Sequence, residues 1–125
     1  MKGVIFINSP KLYNPESMFV AHVSSINSKV ELFKILCKRL MLPDYFGFNW
    51  DALSDCLRDF HWITQQGIVL IHDELPAIDD VTFQTYIHIL IDAINDWKEG
   101  DEHYFEIVFP KNVESLILKY LKAKL

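Results

Sequence analysis

Residues 67–71 read Gly-Ile-Val-Leu-Ile. Consecutive apolar residues at both parities leave a strand here no solvent face, so it belongs inside a parallel sheet, covered from both sides. Parallel strands in turn require long crossover segments between them. The flanking sequence supplies both parts. Val4-Ile5-Phe6-Ile7 and the stretch Tyr104 to Phe109 are further short strands, closed by Asn8-Ser9-Pro10 and by Pro110. Ser28 and Glu31 form a capping box opening a helix with Leu32, Ile35, Leu36 and Leu40 on one face, stopped by Pro43. Asn49 caps a second helix from Trp50 to about Phe60, with Leu53, Cys56, Leu57 and Phe60 inward. Asp79-Asp80 caps a third, from Val81 to Lys98. Its inner stripe is Phe83, Ile87, Leu90, Ile94 and Trp97, and Gln84, His88, Asp92 and Asp96 face away. Asn112 caps a last helix carrying Leu116, Ile117, Tyr120 and Leu121. The expected fold is one α/β domain over residues 1–125: two layers, a three-stranded parallel sheet ordered β-α-α-β-α-β, helices on one face, and an extra C-terminal helix. Residues 8–28 stay open, with Met18–Val23 as a possible edge strand.

Half of the 125 residues are apolar, enough for a core without disulfides or metal. No apolar run is long enough for a membrane span, and the run at 4–7 is too short for a secretory leader. Cys37 and Cys56 form no metal or redox motif, so reduced thiols in a soluble, cytoplasmic protein are expected. The net charge of −5 is unevenly spread. Residues 41–106 hold fourteen Asp/Glu against Arg58 and Lys98, a balance of −12, whereas residues 1–40 and 107–125 are positive. Such a middle segment repels phosphates, which argues against direct nucleic-acid binding and suits attraction of a basic partner. It equally suits a solvated surface.

Catalytic signatures are scarce. There is no glycine-rich phosphate loop, no nucleophile elbow and no paired histidine at helical spacing; His22, His61, His72, His88 and His103 are scattered. No catalytic residue, metal site or cofactor is expected. The second helix has one unusual property. Asp51, Asp55 and Asp59 are spaced one turn apart, and like charges so spaced cost about 0.2–0.5 kcal/mol per pair in an isolated helix. Only Asp51 is favoured by the helix N-terminus. The preceding loop, Pro43-Asp44-Tyr45-Phe46-Gly47-Phe48, is rich in aromatics. An aromatic loop beside stacked acids combines rigid contact area with charge complementarity; the alternative is that these rings cover the core, expected for one or two of Tyr45, Phe46 and Phe48.

The run from Leu42 to Leu57, LPDYFGFNWDALSDCL, resembles the signature of the barstar family of ribonuclease inhibitors in residue type and spacing. Outside this run the order of elements fits the family over residues 1–109. The resemblance implies that the loop and second helix plug the active-site cleft of a basic ribonuclease. It implies Asp55 as the principal phosphate mimic, Asp51 as a second salt-bridging acid, and Tyr45 as an aromatic stacking on the catalytic wall. Gly47 and Asn49 match loop positions that let the backbone approach the enzyme. The pattern has a contact-forming tryptophan where Ser54 stands, an aliphatic residue at Trp50 and a small polar residue at Arg58. It also uses an acid on the third helix, for which Asp92 and Asp96 are both candidates.

The expected function is therefore that of a bacterial, cytoplasmic inhibitor or toxin-immunity protein, monomeric when free, binding through Tyr45, Gly47, Asn49, Trp50, Asp51, Ser54, Asp55 and Arg58. Two alternatives are an adaptor or immunity protein for a basic toxin that is not a ribonuclease, and a small hydrolase using Asp51 and Asp55.

Overall fold

The computed structural model describes residues 2–123. Its elements are β1 (Val4–Ile7), β2 (Met18–Val23), α1 (Lys29–Arg39), α2 (Trp50–Leu57), β3 (Gly67–His72), α3 (Asp80–Asp96), β4 (Tyr104–Pro110) and α4 (Glu114–Ala123), with 3-10 turns at Pro10–Leu12 and Lys111–Val113. Every residue of β3 is buried, as its unbroken apolar run requires. The sheet is parallel throughout, in the order β1-β4-β3-β2, with Val69 opposite both Val20 and Glu106, and Val4 opposite Ile107.

The sheet has four strands, not the expected three. Met18–Val23 is a true edge strand: Phe19, Ala21 and Val23 point toward the helices while Met18 and Val20 point away. Strand β1 lies at one edge and β2 at the other, so the ten residues between them run behind the sheet. Pro10–Leu12 rests on β3 and β4, and Tyr13 packs with Val69, Ile71 and Val108. The prolines and serines of this segment conceal a crossover that has no helix of its own.

All four helices lie on the other face. Leu32, Leu36, Leu53, Leu57, Ile87, Leu90 and Ile117 meet Ala21, Val23, Ile68, Leu70, Ile107 and Phe109 in one continuous core. Helix α4 lies against α3 and covers the outward side assigned to His88, whose Nε2–H donates to the Tyr120 carbonyl at 3.1 Å. The Ser28 cap forms (Glu31 N–H to Oγ, 3.1 Å), but the Glu31 carboxylate accepts from Asn27 rather than from Ser28. The last helix begins at Glu114 after a 3-10 turn that includes Asn112, so Asn112 is not its cap.

His72, at the end of β3, is fully buried and satisfied at both nitrogens. Nδ1–H donates to the Val108 carbonyl (3.1 Å), Nε2 accepts from the Tyr86 hydroxyl (2.6 Å), and the ring stacks on Phe109 with centroids 4.0 Å apart. Burial lowers its pKa from 6.5 to about 4, against the smaller opposing effect of the Val108 bond. The unfolded chain therefore takes up a proton that the folded chain refuses as the pH falls from 6.5 toward 4. The stabilisation is complete above 6.5 and is lost progressively below it, by about 3 kcal/mol in all. Urea denaturation at intervals from pH 7 to 4.5 should show this decline, and His72→Gln should flatten it; an unchanged slope in the variant would contradict the assignment.

Candidate functional site

Helix α1 ends in a Schellman arrangement three residues before Pro43. Met41 adopts φ +55°, Leu42 N–H reaches the Cys37 carbonyl at 2.9 Å and Met41 N–H the Lys38 carbonyl at 3.4 Å. Leu42 then drops into the core and Met41 stays outside. A turn closed by Phe46 N–H on the Pro43 carbonyl (2.9 Å) leads into the aromatic loop. Phe46 is buried against Phe33, whereas Tyr45 and Phe48 remain 63% and 50% exposed. One of the three rings thus covers the core and two face outward. Among the described residues, three of the eight exposed large hydrophobics, Met41, Tyr45 and Phe48, fall within this one loop.

Phe48 itself has φ +51°, a left-handed conformation costing a bulky residue about 1–2 kcal/mol. The loop is held in place by Asn49. Its Oδ1 accepts from Ala52 N–H at 2.8 Å as the cap of α2, and its Nδ2–H donates back to the Gly47 carbonyl at 3.2 Å. A Cβ on Gly47 would stand 3.1 Å from that same Nδ2, which is tight enough to disturb the brace. Gly47 and Asn49 therefore shape the loop from within, and both remain at the surface.

Helix α2 is shorter than its apolar pattern suggests, ending at Leu57. Leu53, Cys56 and Leu57 are buried, and burial is the leading cause holding the Cys56 thiol above its usual range, ahead of the Asp59 carboxylate. Asp51 and Asp55 are exposed one turn apart. Asp51 makes no ion pair among the described residues. Asp55, with its side chain 78% exposed, meets Arg58 Nη2 at 3.5 Å, and Arg58 Nε–H donates to the Ser54 carbonyl at 3.3 Å. An exposed pair of this kind contributes little and leaves the carboxylate available.

Asp59 does not extend the ridge, as the helical spacing predicted. It lies past the helix end and turns to His61, accepting from the backbone N–H at 3.3 Å and pairing with Nδ1 at 2.8 Å. Side-chain bonds of this kind compete with helix continuation, and stopping the helix here also relieves a third stacked charge. Tyr45 O–H donates to Asp59 Oδ2, the oxygen that also pairs with His61, at 3.5 Å, so the loop folds back toward the C-terminal end of α2. Partial desolvation, then Asp59, holds the Tyr45 phenol above its ordinary pKa.

The helix is fixed at both ends by tryptophans. Trp50 is half-buried, its ring packed edge-on against Phe33 at 4.9 Å and near Tyr86 at 6.3 Å. At the far end Trp97 Nε1–H donates to the Leu57 carbonyl at 2.9 Å. These contacts make α2 and α3 run side by side in the same sense, and the exposed Asp92 and Asp96 lie on the stretch of α3 between them. Ser54 is partly covered by its neighbours. Trp97 reads in the sequence only as core and Tyr86 is not marked there at all, because nothing in a periodic pattern tells which side chain packs on, or hydrogen-bonds to, a neighbouring helix.

The family model for barstar, the barnase inhibitor, matches residues 17–110. This chain belongs to the barstar family. The match begins just before β2 and ends with β4, so the β-α-α-β-α-β barstar unit starts at Met18 rather than at Val4. Strand β1, its crossover and α4 flank that unit on either side. No curated protein matches the chain significantly.

Removing the loop brace tests this construction. Asn49→Ala loses the cap and the Gly47 bond together and should cost about 1 kcal/mol, read as a lowered urea midpoint. Asn49→Asp keeps an accepting oxygen and should lose less. Equal midpoints for all three proteins would contradict the bracing role.

Proposed function

We propose that this barstar-family chain is a non-enzymatic inhibitor that occludes the active site of a basic ribonuclease, in the manner of a bacterial, cytoplasmic immunity protein that is monomeric when free. One observation carries the reading most: Asp51 and Asp55 stand exposed on a helix clamped at both ends, beside the exposed Tyr45 and Phe48. A ribonuclease cleft gathers cations to hold the substrate's phosphates, and carboxylates can occupy those positions. At an effective dielectric near 20, two unit charges 4 Å apart attract by roughly 4 kcal/mol before desolvation.

In this reading Asp55 takes the principal phosphate position and Asp51 a flanking one. Tyr45 supplies the stacking surface, and Gly47 and Asn49 present the loop backbone. Trp50 and Ser54 set the contour of the helix, and Arg58 contributes the one cation on its exposed side. The acidic middle of the chain steers the basic enzyme inward. Neither RNA nor a membrane is contacted.

With barnase as the first probe, Asp55→Ala should weaken binding by several kcal/mol, a loss of a hundredfold or more, with the urea midpoint unchanged within error. An unaltered dissociation constant would remove the proposed contact. Stopped-flow association should slow steeply from low salt to 0.5 M as screening shortens the reach of the acidic segment; a flat salt dependence would contradict steering. An RNA-cleavage assay separates this reading from immunity toward a basic toxin of another kind.

A further inference from the structure

Arg58 is the departure from a uniformly acidic helix, and its geometry points to a property of the partner. Its guanidinium lies back along α2, with Nε–H on the Ser54 carbonyl at 3.3 Å and Nη2 at 3.5 Å from Asp55 Oδ1, while 41% of the side chain stays exposed. The adjacent Asp59 is already engaged by His61 and Tyr45. The exposed side of the helix therefore presents two carboxylates followed by a cation set close against the second of them. A cleft lined by cations alone would repel that arginine.

Cleavage of RNA by its own 2′-hydroxyl needs more than cations. A base takes the 2′-proton as the 2′-oxygen bonds to phosphorus, and an acid protonates the departing 5′-oxygen. The attacking oxygen stands about 3–3.5 Å from phosphorus and the base about 2.6–3.2 Å from that oxygen, so the base lies within roughly 6 Å of the phosphate. With Asp55 in the phosphate position, the Arg58 guanidinium, 3.5 Å from Asp55 Oδ1 and partly exposed, is within reach of a carboxylate so placed.

We propose that Arg58 is a specificity-determining residue that pairs with the general-base carboxylate of the target ribonuclease, so that the chain selects enzymes whose base is a glutamate or aspartate. The proposal rests on the inhibitor reading above and adds to it the chemical class of the enzyme bound. The planar guanidinium can turn one edge to Asp55 and another to the enzyme's carboxylate, a geometry suited to arginine and not to lysine.

The test uses the full chain with two basic ribonucleases, one whose general base is a glutamate and one that uses histidine for both proton transfers. Toward the first, Arg58→Ala should weaken binding about tenfold and Arg58→Glu about a hundredfold. Changing the enzyme's base from glutamate to glutamine should abolish most of that sensitivity in a double-mutant cycle. Toward the second, the Arg58 variants should bind at least as well as the parent chain. Equal or tighter binding of Arg58→Ala to the glutamate enzyme would overturn the proposal and leave Arg58 as a mere shield for Asp55. Asp55→Ala, run in parallel, separates the two levels. If it loses binding while Arg58→Ala does not, the inhibitor reading stands and this one falls; if neither has any effect, both fall.

Discussion

The exposed chemistry of this protein depends on how α2 is held down. The helix has eight residues, too few to persist alone in water, and it carries two carboxylates one turn apart. Its stability is therefore borrowed from tertiary contacts: Leu53, Cys56 and Leu57 in the core, Trp50 against Phe33 and Tyr86, and the Trp97 indole on the last-turn carbonyl. Phe60 adds to the far anchor. It is fully buried, stacks parallel to Trp97 with centroids 6.2 Å apart, and adopts a φ of +52°. Anchored in this way, α2 can place like charges side by side at the surface and still keep one geometry.

The same anchoring ties the surface to the sheet. Tyr86 touches Trp50 on one side and donates its hydroxyl hydrogen bond to His72 on the other, and His72 is bound in turn to the Val108 carbonyl of β4. A short chain of contacts thus runs from the first residue of α2 into the middle of the parallel sheet. Because burial keeps His72 neutral, acid strains the layer on which α2 rests. The additions outside the family unit act elsewhere: β1 pairs with β4, and the crossover behind the sheet closes over Val69, Ile71 and Val108.

Much of this is legible in the amino-acid sequence. The doubly apolar β3, the caps at Ser28, Asn49 and Asp79, and the stripe of α2 each follow from a local rule and appear as expected. What stayed hidden were features decided by more distant contacts. The strand at Met18–Val23 reads in the sequence only as a possible edge strand, because it depends on an edge of β3 that no local pattern reveals, and with it in place the barstar unit starts at Met18 rather than at Val4. Asp59 kept the helical spacing but left the helix for His61. Among the loop aromatics, alternation does not tell which ring turns inward: Phe46, at the end of the turn closed on the Pro43 carbonyl, is buried, and Phe48, with its left-handed backbone, is not.

The central claim is that Asp51 and Asp55 occupy the places of substrate phosphates. Equilibrium competition between this chain and a mononucleotide for one basic ribonuclease tests it most directly. If the carboxylates take the phosphate positions, the apparent dissociation constant rises in proportion to mononucleotide concentration, and no ternary complex forms. An apparent constant that stays level at saturating mononucleotide, with all three components found together, would place the contact outside the cleft and contradict the claim.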